Sequence, residues 1–302
     1  MPLSSNASSI SSEIDAIISR AMQEYSAAKG IDVFDDFVDA VAAPEEPVVS
    51  EEPAHEEIPA NSGSLLVSEA TSRFSSALWF DTVQSKNVML AGLGGIGSYV
   101  AFLLARLSVG RLDLFDDDRV EVGNLSGQLY SSNDVGRHKV TAIANMISNY
   151  SAYYNYNCIS ERFTSRNAPE PIMMCGFDNM EARRTYFNAW KTMVRGLSED
   201  EKKKCLFIDG RLAAESFQVF CLTGDAEYNI EKYERDWLFR DDEAEATICS
   251  YKQTTFMANM IASVMVNLFV NFCANECDPL VPRDLPFFTE YTAETMFFKV
   301  IN

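Results

Sequence analysis

The sequence predicts an α/β fold: a Rossmann-like, mostly parallel sheet with helices on both faces and antiparallel strands added toward the carboxyl terminus. Three observations carry this. Short apolar runs alternate with segments of helical period, a glycine-rich turn joins the first strand to a helix, and acids stand at successive strand ends. Val88 to Ala91 is apolar throughout, as suits a parallel strand covered on both faces. Gly92, Gly94, Gly95 and Gly97 follow, opening a helix that carries Val100, Leu103, Leu104 and Leu107. Glycine serves a tight turn there and lets a phosphate reach bare amides at the positive end of a helix. Asp116 stands nineteen residues beyond Gly97, after the strand Leu112 to Phe115, where a ribose hydroxyl would be held. The turn alone admits ATP or NAD.

Composition narrows the classes. The chain of 302 residues is 47% hydrophobic, enough for a sizeable core, and its net charge of −19 argues against nucleic acid. Residues 1–70 hold fourteen acids against two bases, which is −12, and leave −7 for the rest. Seven scattered cysteines without a secretory signal suggest a reducing, cytoplasmic setting. Cys273 and Cys277 lack a second pair at metal spacing, so no structural zinc is expected. Phe256 to Phe272 is the most hydrophobic window, and Asn259, Asn267 and Asn271 interrupt it. It reads as a buried core helix, and no membrane span is expected.

Residues 1–64 read as an acidic arm: an amphipathic helix on Ile10, Ile14, Ile17, Ile18 and Tyr25, an acidic-hydrophobic patch, and a Pro/Glu-rich linker from Pro44 to Gly63. The globular domain is assigned to 65–302. It is expected to open with a helix around Ser68 to Thr82. After the Asp116 strand come a helix with Val140, Ile143 and Ile147, strands at Cys158 to Glu161 and Ile172 to Cys175, and a helix with Arg183 and Asn188. A strand Cys205 to Ile208, an antiparallel strand Ser216 to Leu222, an acidic span from Asp225 to Glu245 and a closing strand or hairpin over Phe287 to Ile301 complete it. Cys158, Cys175, Cys205 and Cys221, lying in strands, are expected in the core.

Strand-end acids Asp116, Asp118, Asp178 and Asp209, with Asn124, Gln128 and Lys139 from loops, should converge on one crevice. One lysine among glycine amides and carboxylates suits a magnesium nucleotide. In order and spacing, Gly92–Gly97, Asp116-x-Asp118, Asn124-Leu-x-x-Gln128, Gly136-Arg-x-Lys139 and Asp178-Asn-x-x-x-Arg183 resemble the ubiquitin-activating and ThiF/MoeB-type adenylyltransferases. The resemblance runs from about Arg73 to Phe272. It implies ATP- and Mg2+-dependent adenylation of the carboxyl terminus of a ubiquitin-like or sulfur-carrier protein by a homodimer. On that resemblance Asp116 holds ribose, Asn124, Gln128 and Lys139 contact phosphates, and Asp178 binds magnesium. Arg183 orients Asp178, and Arg73 reaches the partner subunit's site. Cys249 would take the carrier as a thioester, while Gly127 and Ser76 replace two arginines of the family. A degenerate nucleotide-binding interaction module is the alternative, and an NAD-dependent oxidoreductase is a third class.

Overall fold

The computed structural model describes residues 69–239 and 253–302. The arm assigned to 1–64 and Cys249 lie outside the described residues. Eight strands form one sheet: β1 (Asn87–Ala91), β2 (Arg111–Phe115), β3 (Tyr156–Ile159), β4 (Ile172–Cys175), β5 (Leu206–Ala213), β6 (Ser216–Thr223), β7 (Phe288–Thr292) and β8 (Phe297–Ile301). Their spatial order is β3-β2-β1-β4-β5-β6-β7-β8. The pairings among β1 to β5 are parallel, and β5 to β8 pair antiparallel. The chain steps outward from β1 to β2 to β3 and then returns to lay β4 on the other side of β1. Loops leaving β1 and β4 therefore diverge, and a crevice opens at their carboxyl ends.

Seven helices accompany the strands among the described residues: α1 (Phe80–Ser85), α2 (Gly95–Arg106), α3 (Lys139–Tyr150), α4 (Met180–Arg195), α5 (Glu199–Lys202), α6 (Glu227–Trp237) and α7 (Thr255–Cys277). Two cores result, because alternate residues of each central strand face opposite ways. Val88, Leu90, Ile172, Met174, Leu206 and Ile208 pack against α2, α3 and α7. Met89, Ala91, Met173, Cys175 and Phe207 face the aromatic side of α4 and α6, with Tyr186, Phe187, Trp190 and Tyr233. By length and composition α7 could cross a membrane, but Met257, Ile261, Met265 and Phe269 are completely buried in the core, as expected of a central helix.

The parallel strands and the closing hairpin arise where the periodicity places them, and four details differ. The segment before β1 does not form one helix. Turns such as Phe74 N to Thr71 O (3.0 Å) fold it back so that Phe74 lies against Trp79 and Phe80; residues 69–70 and Phe80–Ser85 are helical, with turns between them. Its serines compete for backbone groups and favour turns over helix. β3 lies two residues earlier than expected and is an edge strand, so Cys158 is exposed; Cys175, Cys205 and Cys221 are buried. β5 continues through Asp209-Gly210-Arg211 to Ala213 because β6 pairs along its full length. The acidic span contains α6, whose Ile230 and Tyr233 are fully buried.

The tightest contact lies at the glycine turn. Gly92 adopts φ +80°, open to glycine at little cost. A Cβ on Gly97 would stand 1.9 Å from the Gly92 carbonyl oxygen. Gly97→Ala should therefore lower the unfolding free energy in urea by about 3 kcal/mol, the upper part of the overpacking range. Gly123→Ala, with nothing within 4 Å of the added atom, should stay within about 0.5 kcal/mol.

Candidate functional site

The crevice is built around the turn from β1 into α2. Gly94 precedes the helix, and a Cβ there would have only Gln128 Nε2 nearby, at 3.9 Å. Backbone is thus open at the helix start, where unpaired amides favour an anion. Leu93 is pinned on both sides: its amide donates to Asp116 Oδ2 at 2.7 Å, and its carbonyl accepts from the Tyr130 hydroxyl at 2.6 Å. Ser98 Oγ accepts from the Leu129 amide at 3.0 Å, lacing the loop after β2 to α2. Burial pushes the Asp116 carboxyl above its ordinary value, against the opposing pull of Lys139 and of the Leu93 and Asp118 amides. Burial, reinforced by Asp116, raises the Tyr130 hydroxyl well above its ordinary range, so it stays a donor.

Lys139 comes from the same loop. Arg119 and His138 form an antiparallel bridge, and the Arg119 guanidinium donates to the Gly136 carbonyl at 2.7 Å. This small hairpin sets Lys139 as the first residue of α3, nearly buried, with Nζ 2.9 Å from Asp118 Oδ2. A cation at a helix start opposes the helix dipole, and the Asp118 carboxylate offsets that cost. Asp116, Asp117 and Asp118 each bring an oxygen within 4.8 Å of the others. Lys139 pairs with Asp118, and Arg162 pairs with Asp117 at 2.7 Å, so counter-charge is already present there. Asn124 Oδ1 accepts from the Glu121 amide at 2.9 Å, closing the short helical turn Val122–Ser126. Gln128 Oε1, Thr254 Oγ1 and His138 Nδ1 are buried without a partner among the described residues.

Asp178 lies exposed on the loop leaving β4, next to Phe177, whose ring would be 3.1 Å from a Cβ on Gly92. Asp178 follows β4, which pairs parallel with β1, so it stands at the same end of the sheet as the glycine turn. Asn179, and not Asp178, caps α4, accepting from the Ala182 amide at 2.8 Å.

Arg183 does not orient Asp178 directly. Its Nε donates to Asp209 Oδ1 at 2.7 Å, and the same guanidinium donates to the Phe177 carbonyl and, at 3.3 Å, to that of Gly210. Asp209 is completely buried and outside the crevice, because β5 runs on past it; it also accepts from Arg211 Nε and the Tyr233 hydroxyl, both at 2.8 Å. Burial alone would raise the Asp209 carboxyl, but Arg183, Arg211 and Tyr233 overturn that and hold it below the ordinary 3.8. The cluster braces the backbone from which Asp178 projects.

Gly92, Gly94, Gly95, Gly97, Asp116, Asp118, Asn124, Gln128, Lys139 and Asp178 therefore share one end of the sheet. Arg73 is exposed in the turns before α1, and Cys249 lies outside the described residues. Sequence reasoning missed Arg162, Tyr130 and Gln253, whose carboxamide lies against Gly95 and Gly127. Arg162 stands just past the end of β3, where the strand-end rule that singled out Asp116 would have found it. Tyr130 sits two residues after Gln128. Gln253 has no local signal.

The ThiF family pattern matches residues 70–302. Ubiquitin-like modifier-activating enzyme 5 of Drosophila mojavensis is 31% identical over 121 residues, 34% of this chain and 30% of that protein. The Caenorhabditis elegans protein of the same name is 41% identical over 63 residues, 21% of this chain and 15% of that one. The chain thus matches less than a third of the length of these relatives. Among solved structures, Escherichia coli MccB with MccA-N7isoASN superposes with a TM-score of 0.58 at 16% identity, covering 77% of this chain and 72% of that one. PaaA gives 0.54 at 16% identity, covering 98% and 90%. These likenesses establish a shared fold.

Asp209→Ala would strand two guanidiniums and should cost about 3–5 kcal/mol in urea unfolding, the range for breaking a buried ion pair. Because the folded carboxyl is depressed, its contribution is full above the unfolded value and is lost as pH falls through the folded one. The native chain should therefore lose stability below about pH 4 more steeply than the variant.

Proposed function

Because this chain belongs to the ThiF family, we propose that it adenylates the terminal carboxylate of a ubiquitin-like or sulfur-carrier protein, or of a peptide, using ATP. The observation that carries this reading is the open backbone at Gly94 with the nearly buried Lys139, paired to Asp118, at the same end of the sheet. The names of the matched relatives support a ubiquitin-like modifier, and MccB crystallised with a form of MccA supports a second class of polypeptide substrate.

In this reading the triphosphate lies over the start of α2, and Asp116 holds the ribose. Lys139, Gln128 and Asn124 contact phosphates. The exposed oxygens of Asp178 suit a hard divalent cation such as magnesium. Magnesium, when bound, supplies Lewis-acid neutralisation of phosphate charge. The substrate carboxylate attacks the α-phosphorus, an oxygen–phosphorus bond forms, and the bond to the β-phosphate bridging oxygen breaks. Pyrophosphate leaves with that electron pair, and no proton need move. The obstacle is repulsion between anions, so helix-start amides and Lys139 act by stabilising charge.

Transfer of the acyl group to Cys249 as a thioester, dimerisation with Arg73 reaching the partner's site, and a reducing, cytoplasmic compartment belong to the same proposal. A second reading, an interaction module with weak catalysis, is favoured by the engagement of nearby arginines. Arg211 is bound to Asp209, Arg119 holds the Gly136 carbonyl, and position 127 is glycine.

ATP–pyrophosphate exchange with the full chain and a panel of ubiquitin-like proteins and peptides tests the reading. Exchange should appear with one of them and fall about 10²–10³-fold in Lys139→Ala, the loss typical of one charge-stabilising donor. Measurable Mg-ATP binding with no exchange from any panel member would favour the second reading. Cys249→Ala should keep exchange and lose a thiol-reducible conjugate with the active carrier; a conjugate that persists removes Cys249 from the path.

A further inference from the structure

The carboxamide of Gln253 lies on the glycine turn. A Cβ on Gly95 would stand 2.1 Å from its Oε1, and a Cβ on Gly127 would stand 2.9 Å from its Nε2. The start of α2 and the end of the short turn after β2 thus meet on one side chain, and glycine at both positions makes the room. Its backbone is anchored: Gln253 bridges Ala214 at the β5–β6 turn, and the Thr255 hydroxyl is 2.9 Å from that of Tyr99 on α2. Held this way, the side chain is half-buried and makes no hydrogen bond with another described residue. Gln128 Oε1 and Thr254 Oγ1, on the neighbouring loop and the next residue, are buried without partners among the described residues. Buried polar atoms without partners are costly and rare; the Thr254 hydroxyl is able to donate to an anion, whereas Gln128 Oε1 is an acceptor and is not.

We propose that Gln253 is a phosphate-contacting residue of the adenylation site: with its Oε1 toward Gly95 and its Nε2 toward Gly127, Nε2 donates to a phosphate oxygen of ATP. This rests on the nucleotide reading of the turn. A carboxamide is uncharged and two-sided, so its oxygen can face helix-start amides while its N–H donors face a phosphate oxygen. With no side chain at position 127, the loop after β2 leaves that space to a donor arriving from before α7. The rival role for the same geometry is a plug, with the carboxamide occupying the place of the anion.

Calorimetric titration of Mg-ATP into the full chain and its variants separates these. Gln253→Ala and the similarly sized Gln253→Met should each weaken binding about 5–10-fold, the worth of one neutral hydrogen bond. Gln253→Glu should weaken it about 10²-fold, since an anion would face the phosphates. Gly127→Ala, which displaces the carboxamide, should act in the same direction. Thermal unfolding identifies any variant that fails to fold, and Gln253→Met, which preserves packing, then decides. The assignment is overturned if Gln253→Glu binds within twofold of the native chain, or if removing the carboxamide tightens binding as a plug would require. Absence of Mg-ATP binding by the native chain is a different result: it removes the nucleotide reading itself, and this assignment with it.

Discussion

The architecture depends on how closely α2 approaches the end of β1. Gly97 meets the Gly92 carbonyl with no room for one further carbon, and Gly92 turns through a left-handed conformation to allow it. That approach aims the unpaired amides of α2 over the carboxyl edge of the sheet, where the order of strands reverses. Leu93, pinned between Asp116 and Tyr130, keeps the turn in this shape. The residues proposed to hold a nucleotide are thus also the ones that maintain the turn.

A second constraint works from beneath. Asp209, Arg183, Arg211 and Tyr233 form a buried cluster at the junction of β4, β5, α4 and α6. Burying charge is costly, and every member of this cluster has a partner, so removing any one leaves an uncompensated group inside. Its guanidinium grips the Phe177 and Gly210 carbonyls. The exposed Asp178 loop is therefore anchored from inside, which lets an acid stand in solvent with its backbone fixed.

Much of this was legible in the residues. Strand, glycine turn and helix are local patterns, readable wherever apolar period and turn chemistry agree. Asp116 was found because strand ends face the crevice. The same rule placed Asp209 there wrongly, because pairing with β6 extends β5 and no local signal in Asp209-Gly210-Arg211 announces that partner. The family resemblance gives Arg183 the orienting of Asp178, five residues before it, whereas the fold supplies a buried acid twenty-six residues away. Cys158 was read as core from its strand, and the position of β3 at the sheet edge exposes it.

The amino-acid order by itself determined the alternation of strands and helices, the turn that needs glycine, and which loops carry acids and the lysine. These follow from side-chain period and backbone sterics within a few residues. Only the tertiary structure decided which charges pair, which strand lies at the edge, and which side chain fills the space beside Gly95 and Gly127. Those outcomes depend on contacts between distant segments such as Gln253 and the glycine turn, whose energy exists only once the sheet has assembled.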